Sequence, residues 1–228
     1  MILKDAPVLI TGAARRIGAA IARELAAAGM PVALHYGASE EDACALRDAI
    51  RADAGQAEVL QADLADPEAA AGLIPRAAKA MGGPIKALVN NAAIFAPGSF
   101  LETDPADWER HLAINLTAPF RLMQAFARAL PDDAEGAVVN LLDQRIGRPT
   151  PSHTAYATAK SALWTLTQMG AAELAPRIRV NGIGPGPILP APGDAPERFQ
   201  AIAAATPLQR PGSPEEIARS VRFLLESD

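Results

Sequence analysis

The chain has 228 residues with a formal charge of −5; 50% are hydrophobic and 21% charged, ordinary globular usage and enough length for one α/β domain with a sizeable core. A pI near 5.3 leaves no basic footprint for nucleic acid or an anionic membrane. The single cysteine, Cys44, excludes an internal disulfide and fits a reducing compartment, and three scattered histidines (His35, His111, His153) give no metal-ligand spacing, so no metal site is expected.

The opening "MILKDAPVLITG" has too short an apolar run for a signal peptide or a membrane span, which makes a soluble, cytoplasmic protein the expectation. Short aliphatic runs at 7–11, 32–36, 58–62, 87–91, 137–142 and 178–183 then alternate with stretches of helical periodicity at 16–28, 40–53, 67–80, 105–129, 154–174 and about 214–226. Gly29, Gly55 and Gly82-Gly83 stand where helix C-caps are expected. Strands alternating with helices of this size imply a parallel sheet covered on both faces, and right-handed crossovers make it a Rossmann-like, doubly wound α/β fold in a single domain, 1–228. Asn115-Leu116-Thr117 matches the glycosylation acceptor pattern, but without secretion it is read as chance. The proline- and glycine-rich stretch 184–207 breaks the rhythm after the sixth strand; at the C-terminal edge of a parallel sheet such an insertion reads as a lid over a substrate site.

In "VLITGAARRIGAAIARELA" a strand, a tight turn and an amphipathic helix follow one another. Gly12 permits the turn and Gly18 a close helix–sheet approach, so free N–H groups at the helix start can hold a pyrophosphate. The second strand ends in His35, Tyr36 and Gly37, without the acid that usually binds an NAD ribose. No carboxylate there repels a 2′-phosphate. Ser39 can donate to that phosphate and Arg15 can reach it from the first loop, which favours NADPH. Glu40 and Glu41 are assigned to the acid-favouring first turn of the next helix.

Tyr156 and Lys160, at i and i+4, project from one helix face. A free tyrosine has a pKa of about 10, and a neighbouring ammonium is expected to lower it and make the phenol useful in proton transfer beside a hydride transfer. Asp143 stands at the end of the fifth strand, before the loop that leads into this helix.

The order of these features carries a resemblance. A T-G-x-x-x-x-x-G turn, "NNAA" at 90–93, Asn115 in a long helix, Y-x-x-x-K and "NGIGPG" at 181–186 make the chain resemble the short-chain dehydrogenase/reductase family over nearly its whole length. By that resemblance Asn115, Tyr156 and Lys160 are catalytic. Asp63 and Leu64, with Asn91, Ala92 and Ala93, contact the cofactor, and Ile17 lies in its phosphate turn. Pro185, Gly186 and Ile188 flank its nicotinamide. Asp143 replaces the family's usual serine and Arg16 its middle glycine; with "LHY" ending the second strand, both changes resemble the pteridine reductase branch, whose triad is Asp-Tyr-Lys. That branch implies Arg16 touching both cofactor phosphates and pterin, and Phe95 sandwiching the flat pterin against the nicotinamide. A carboxylate beside Tyr156 suits proton relay to a ring nitrogen, whereas a ketone offers no such base.

Departures from the branch are Ala38 where a base is usual near the 2′-phosphate, Ala93 where a serine is usual, and "PGPILP" without its threonine. The family also continues into a seventh strand, which implies either an incomplete chain or a sheet ending one strand early. The expectation is an NADPH-dependent reductase of a pterin or dihydrofolate-like ring. The alternatives are a ketone or 3-oxoacyl reductase and a non-catalytic dinucleotide sensor. Long helices at 105–129 and 154–174 suggest a homodimer or homotetramer.

Overall fold

Val8–Ile10 (β1) alternates faces: Val8 and Ile10 enter one apolar cluster and Leu9 the other, all three fully buried. The same alternation recurs in Val32–Tyr36 (β2), Ala57–Gln61 (β3), Ala87–Asn90 (β4), Gly136–Leu141 (β5) and Ile178–Ile183 (β6). Where both faces are covered, the central strands read as nearly continuous apolar runs, whereas the edge strands β3 and β6 carry half-buried or exposed polar residues, Glu58, Gln61, Arg179 and Asn181. They form one all-parallel sheet in the order β3-β2-β1-β4-β5-β6. This is a computed structural model, and it describes residues 5–191, 193 and 195–227. Residues 1–4 of the N-terminal run, Pro192 and Asp194 of the expected lid and the terminal Asp228 lie outside them.

One face carries Arg16–Ala27 (α1), Glu40–Ala52 (α2) and Pro214–Glu226 (α9), whose Ile21, Leu25, Leu46, Val221 and Leu225 pack on Val8, Ile10 and Leu34. The other carries Leu73–Met81 (α4, after the short α3, Pro67–Ala71) and Ala118–Ala129 (α6) against Leu9, Leu88 and Val138. Phe126 is fully buried at the centre of that second layer, where truncation to alanine costs about 3–5 kcal/mol. Thr154–Leu174 (α7) continues this face over β6. Among the described residues no helix is long and apolar enough to cross a membrane, and no metal-ligand cluster occurs.

Strand bounds fall within a residue of expectation, but two long helices are interrupted, each for a local reason. The expected helix 67–80 breaks at Gly72, because Pro75 has no N–H for the Ala71 carbonyl four residues back. The expected helix 105–129 becomes Pro105–Leu112 (α5), a π turn at Ala113–Thr117, and α6. Pro119 cannot donate to Asn115, and the chain widens there to close Ala118 N–H on the Ala113 carbonyl. After α2 the left-handed residue is Ala54, not Gly55; Gly55 is needed instead for close approach, since a Cβ there would stand 2.7 Å from Ile50 Cγ2. Among the described residues, segment 184–207 contains one helix, Pro196–Ala204 (α8), and β6 forms the sheet edge.

Chain connections diverge between β1 and β4, so the carboxyl ends of these strands open a crevice.

Candidate active site

The floor of the crevice is the turn after β1. Gly12 holds a φ of +62° and lies so close to the β4 loop that a Cβ would stand 2.9 Å from Ala92 Cα. At Gly18 an added Cβ would collide with the Gly12 carbonyl, so α1 starts hard against the turn. Asn91 braces it from β4: Nδ2 donates to the Thr11 carbonyl at 2.9 Å and the Gly12 carbonyl at 3.0 Å. Thr11 Oγ1 accepts the N–H groups of Asn91 and Ala92, both at 3.0 Å. From β2, His35 Nδ1 accepts the Gly12 N–H at 3.1 Å, and Nε2 donates to the Ala62 carbonyl at 3.1 Å. Burial pulls the His35 imidazole down to about pKa 4, outweighing its bond to Ala62, with Arg76 pushing the same way as burial.

This rigid turn aims the N-terminus of α1 into the crevice. That first turn has no acidic residue and no side-chain cap, so its dipole and N–H groups face the opening uncompensated by side chains. The arrangement fits a dinucleotide pyrophosphate. At the end of β2 the Ser39 hydroxyl makes no capping bond to α2, while Glu40, Glu41 and Asp42 fill that helix's first turn as expected. Arg15 shares its charge with Asp42 at 3.6 Å, which weakens it as a partner for a 2′-phosphate. Arg16 sits at φ +55°, where a side chain costs about 1 kcal/mol or more, and its guanidinium reaches the Pro190 carbonyl at 2.7 Å across the opening.

At the other end, Asp143 leaves β5 and caps the short 3₁₀ turn Gln144–Ile146 by accepting Arg145 N–H at 2.8 Å. The Tyr156 hydroxyl donates to Asp143 Oδ2 at 3.0 Å, and the Arg145 guanidinium pairs with the same oxygen at 3.2 Å. Lys160, buried in α7, donates to the Leu141 carbonyl at 2.5 Å and lies 5.9 Å from the Tyr156 ring centroid. The expectation that Lys160 lowers the tyrosine pKa is corrected. Burial and then the Asp143 carboxylate push the phenol up, Arg145 offsets only part of this, and the ammonium is directed at a backbone carbonyl instead. Tyr156 is therefore held protonated. Lys160 itself is drawn down to about 8 by burial, with Asp143 pushing back.

Phe95 lies beside this group, its ring stacked on His153 at 4.3 Å and edge-on to Tyr156 at 4.8 Å. It remains 37% exposed, so part of the ring is open as a seat, although Arg145 stands over it at 5.2 Å. Turn, β2 end and reacting groups all line one cavity of about 650 Å³. Ile17, Tyr36, Asp63, Leu64 and Ala93 are on its wall, as are Pro185, Gly186 and Ile188.

Asn115 is the exception. It is fully buried behind the wall, with its amide taking the Ile94 N–H and giving to the Ile94 carbonyl, both at 2.9 Å. The π turn places it there, so it positions the Phe95 loop. Asn90 is likewise buried, bonded to Asn140 at 2.8 Å. Sequence reading missed Arg145, Arg110, Ile114 and Phe199 on the cavity wall. Arg145 was detectable as the residue a capping aspartate would receive an N–H from; Arg110 reads only as a solvated helix face.

A family model described as enoyl-(acyl carrier protein) reductase matches residues 12–228. The solved structure of FolM alternative dihydrofolate reductase 1 from Brucella canis, complexed with NADP, is 42% identical, with a TM-score of 0.93 over 97% of this chain and 88% of its own. A blue fluorescent protein from a metagenomic library, in complex with NADPH, is 36% identical with a TM-score of 0.92 over 100% and 93%. A 3-oxoacyl-[acyl-carrier-protein] reductase of Synechocystis sp. is 34% identical over 95% of this chain and 87% of its own length.

Proposed function

The chain belongs to the short-chain dehydrogenase/reductase family, and on that premise we propose that it reduces the C=N bond of a pterin or dihydrofolate-like ring. It is an NADP-dependent oxidoreductase; similar solved structures carry NADP or NADPH, and the capless start of α1 beneath the Gly12 turn fits that cofactor. When bound there, the nicotinamide supplies the hydride.

The observation that carries the substrate reading is the Tyr156–Asp143 hydrogen bond at 3.0 Å beside the half-open ring of Phe95. Phe95 offers a flat, apolar seat to an aromatic bicycle. Reducing C=N needs one proton on nitrogen, and Tyr156, held protonated, is the donor at that atom. Asp143 accepts from the phenol, touches solvent with 14% of its side chain, and so can pass a proton in from water. Lys160 anchors the wall from which Tyr156 projects. The described part of segment 184–207, tied to Arg16 through Pro190, is the lid over this site. Phe120 on α6 and Trp164 and Met169 on α7, about 40–60% exposed, form the face on which a second copy of the chain pairs.

Following NADPH absorbance with 7,8-dihydrobiopterin and 7,8-dihydrofolate, with simple ketones in parallel, tests the reading. Pterin-dependent oxidation that Asp143→Asn abolishes supports it. Undiminished turnover in Asp143→Asn would dismiss the relay. A second reading, reduction of a 3-oxoacyl group, is favoured by the Synechocystis relative and the family model's description. Oxidation with ketones alone would select it.

A further inference from the structure

Arg110 has no part in the chemistry above, yet it lines the same cavity. It stands on α5 one helical turn before Ile114, which also lines the cavity, so both face the opening. Among the described residues its guanidinium has no hydrogen bond, ion pair or ring contact; the neighbouring cavity arginines do, Arg145 with Asp143, Arg15 with Asp42 and Arg16 with Pro190.

Arg110 itself is exposed, but the helix backbone that carries it is tied to the ring seat. His111, next to Arg110, donates from Nδ1 to the Asp107 carbonyl at 2.7 Å, which leaves Nε2 to accept the Ala96 N–H at 3.3 Å. Asn115 grips Ile94 through both its N–H and its carbonyl. Phe95, between those two residues, is thus stapled on either side to the helix that carries Arg110. The same cavity also has an apolar lining from Ile114, Phe199 and Ile202.

We infer that Arg110 is the carboxylate-binding residue of a substrate-tail subsite, and that the enzyme takes a conjugated folate in preference to an unconjugated pterin. This rests on the ring-reduction reading above. A p-aminobenzoylglutamate tail has the two features this wall matches, an aromatic segment for Ile114, Phe199 and Ile202 and carboxylates for a free guanidinium. The short hydroxylated chain of a biopterin uses neither. The cation also offsets locally the −5 charge of the chain, which repels an anionic substrate.

The test compares 7,8-dihydrofolate with 7,8-dihydrobiopterin in the intact enzyme and in Arg110→Gln and Arg110→Lys. Wild type is expected to favour dihydrofolate. Arg110→Gln should lower kcat/KM for dihydrofolate about tenfold relative to dihydrobiopterin, through KM rather than kcat, with partial rescue in Arg110→Lys. The dihydrofolate preference should also shrink with added salt. If wild type reduces both and the Gln variant leaves their ratio unchanged, the subsite is wrong while the ring reading stands. If wild type reduces neither, the ring reading falls and the subsite with it.

Discussion

His35 takes the Gly12 N–H on one ring nitrogen and gives the other to the Ala62 carbonyl, each over 3.1 Å, so one buried imidazole ties the phosphate turn to the loop after β3. Both bonds require the neutral ring with its proton on Nε2. The unfolded chain takes up a proton near pH 6.5, whereas the folded one resists until about 4. The stability due to neutral His35 is therefore complete above pH 6.5. It is lost as pH falls toward 4, by about 3 kcal/mol. Urea denaturation from pH 7 to 4 should show this loss, and His35→Leu should flatten that part of the curve while weakening NADPH binding at neutral pH. An equally steep curve in the variant would assign the acid sensitivity elsewhere.

Gly18→Ala puts a methyl group into the Gly12 carbonyl and within 2.7 Å of Asn91 Nδ2. Both obstacles are held, one by backbone and one by its paired hydrogen bonds, so the turn itself must open. The expected cost is about 1–3 kcal/mol of stability. NADPH affinity should fall by more than NADPH-independent stability does, because the displaced atoms are those facing the pyrophosphate. Titration of cofactor fluorescence beside a melting curve separates the two effects.

Burial draws Lys160 down to about 8, so its charge is lost as pH rises through that value. The kcat/KM profile of the free enzyme should then have a falling limb near pH 8. Lys160→Met should remove that limb together with most of the activity. A limb unchanged in the residual activity of the variant would mean another group titrates there.

How far the sequence foretold this site depended on whether the signal was local. Gly12, Gly18, Tyr156 and Lys160 were legible because a turn and an i, i+4 pair are set by neighbouring residues. The central strands were legible because burial on both faces makes them nearly unbroken apolar runs, and the edge strands β3 and β6 by their aliphatic residues between polar ones. Asn115 was assigned to chemistry, yet its amide faces Ile94; only the widening of the helix before Pro119, a tertiary consequence of a local proline, turns it there. The direction of the Tyr156 shift was missed for a similar reason. Spacing brings Lys160 near the phenol but does not say that Leu141 claims its proton. Arg110 and Ile114 carry an amphipathic pattern that any solvated helix shows, and only the stapled Phe95 loop gives that face a meaning.

Arg145 holds Asp143 twice, through its N–H at 2.8 Å and through its guanidinium at 3.2 Å, while the same guanidinium stands 5.2 Å over Phe95. A flat ring seated on Phe95 competes with that cation for the aromatic face. Arg145 is also the neighbour that counters the upward push on Tyr156. Arg145→Met therefore acts in two opposed directions. It clears the seat, so KM for a dihydropterin should fall. It leaves Asp143 without its cation and the phenol harder to ionise, so kcat should drop about tenfold near neutral pH. Steady-state kinetics on wild type and variant reads both. A drop in kcat with KM raised instead would show that the guanidinium grips the substrate, and parallel losses explained by a lowered melting temperature would show that the clamp only supports the fold.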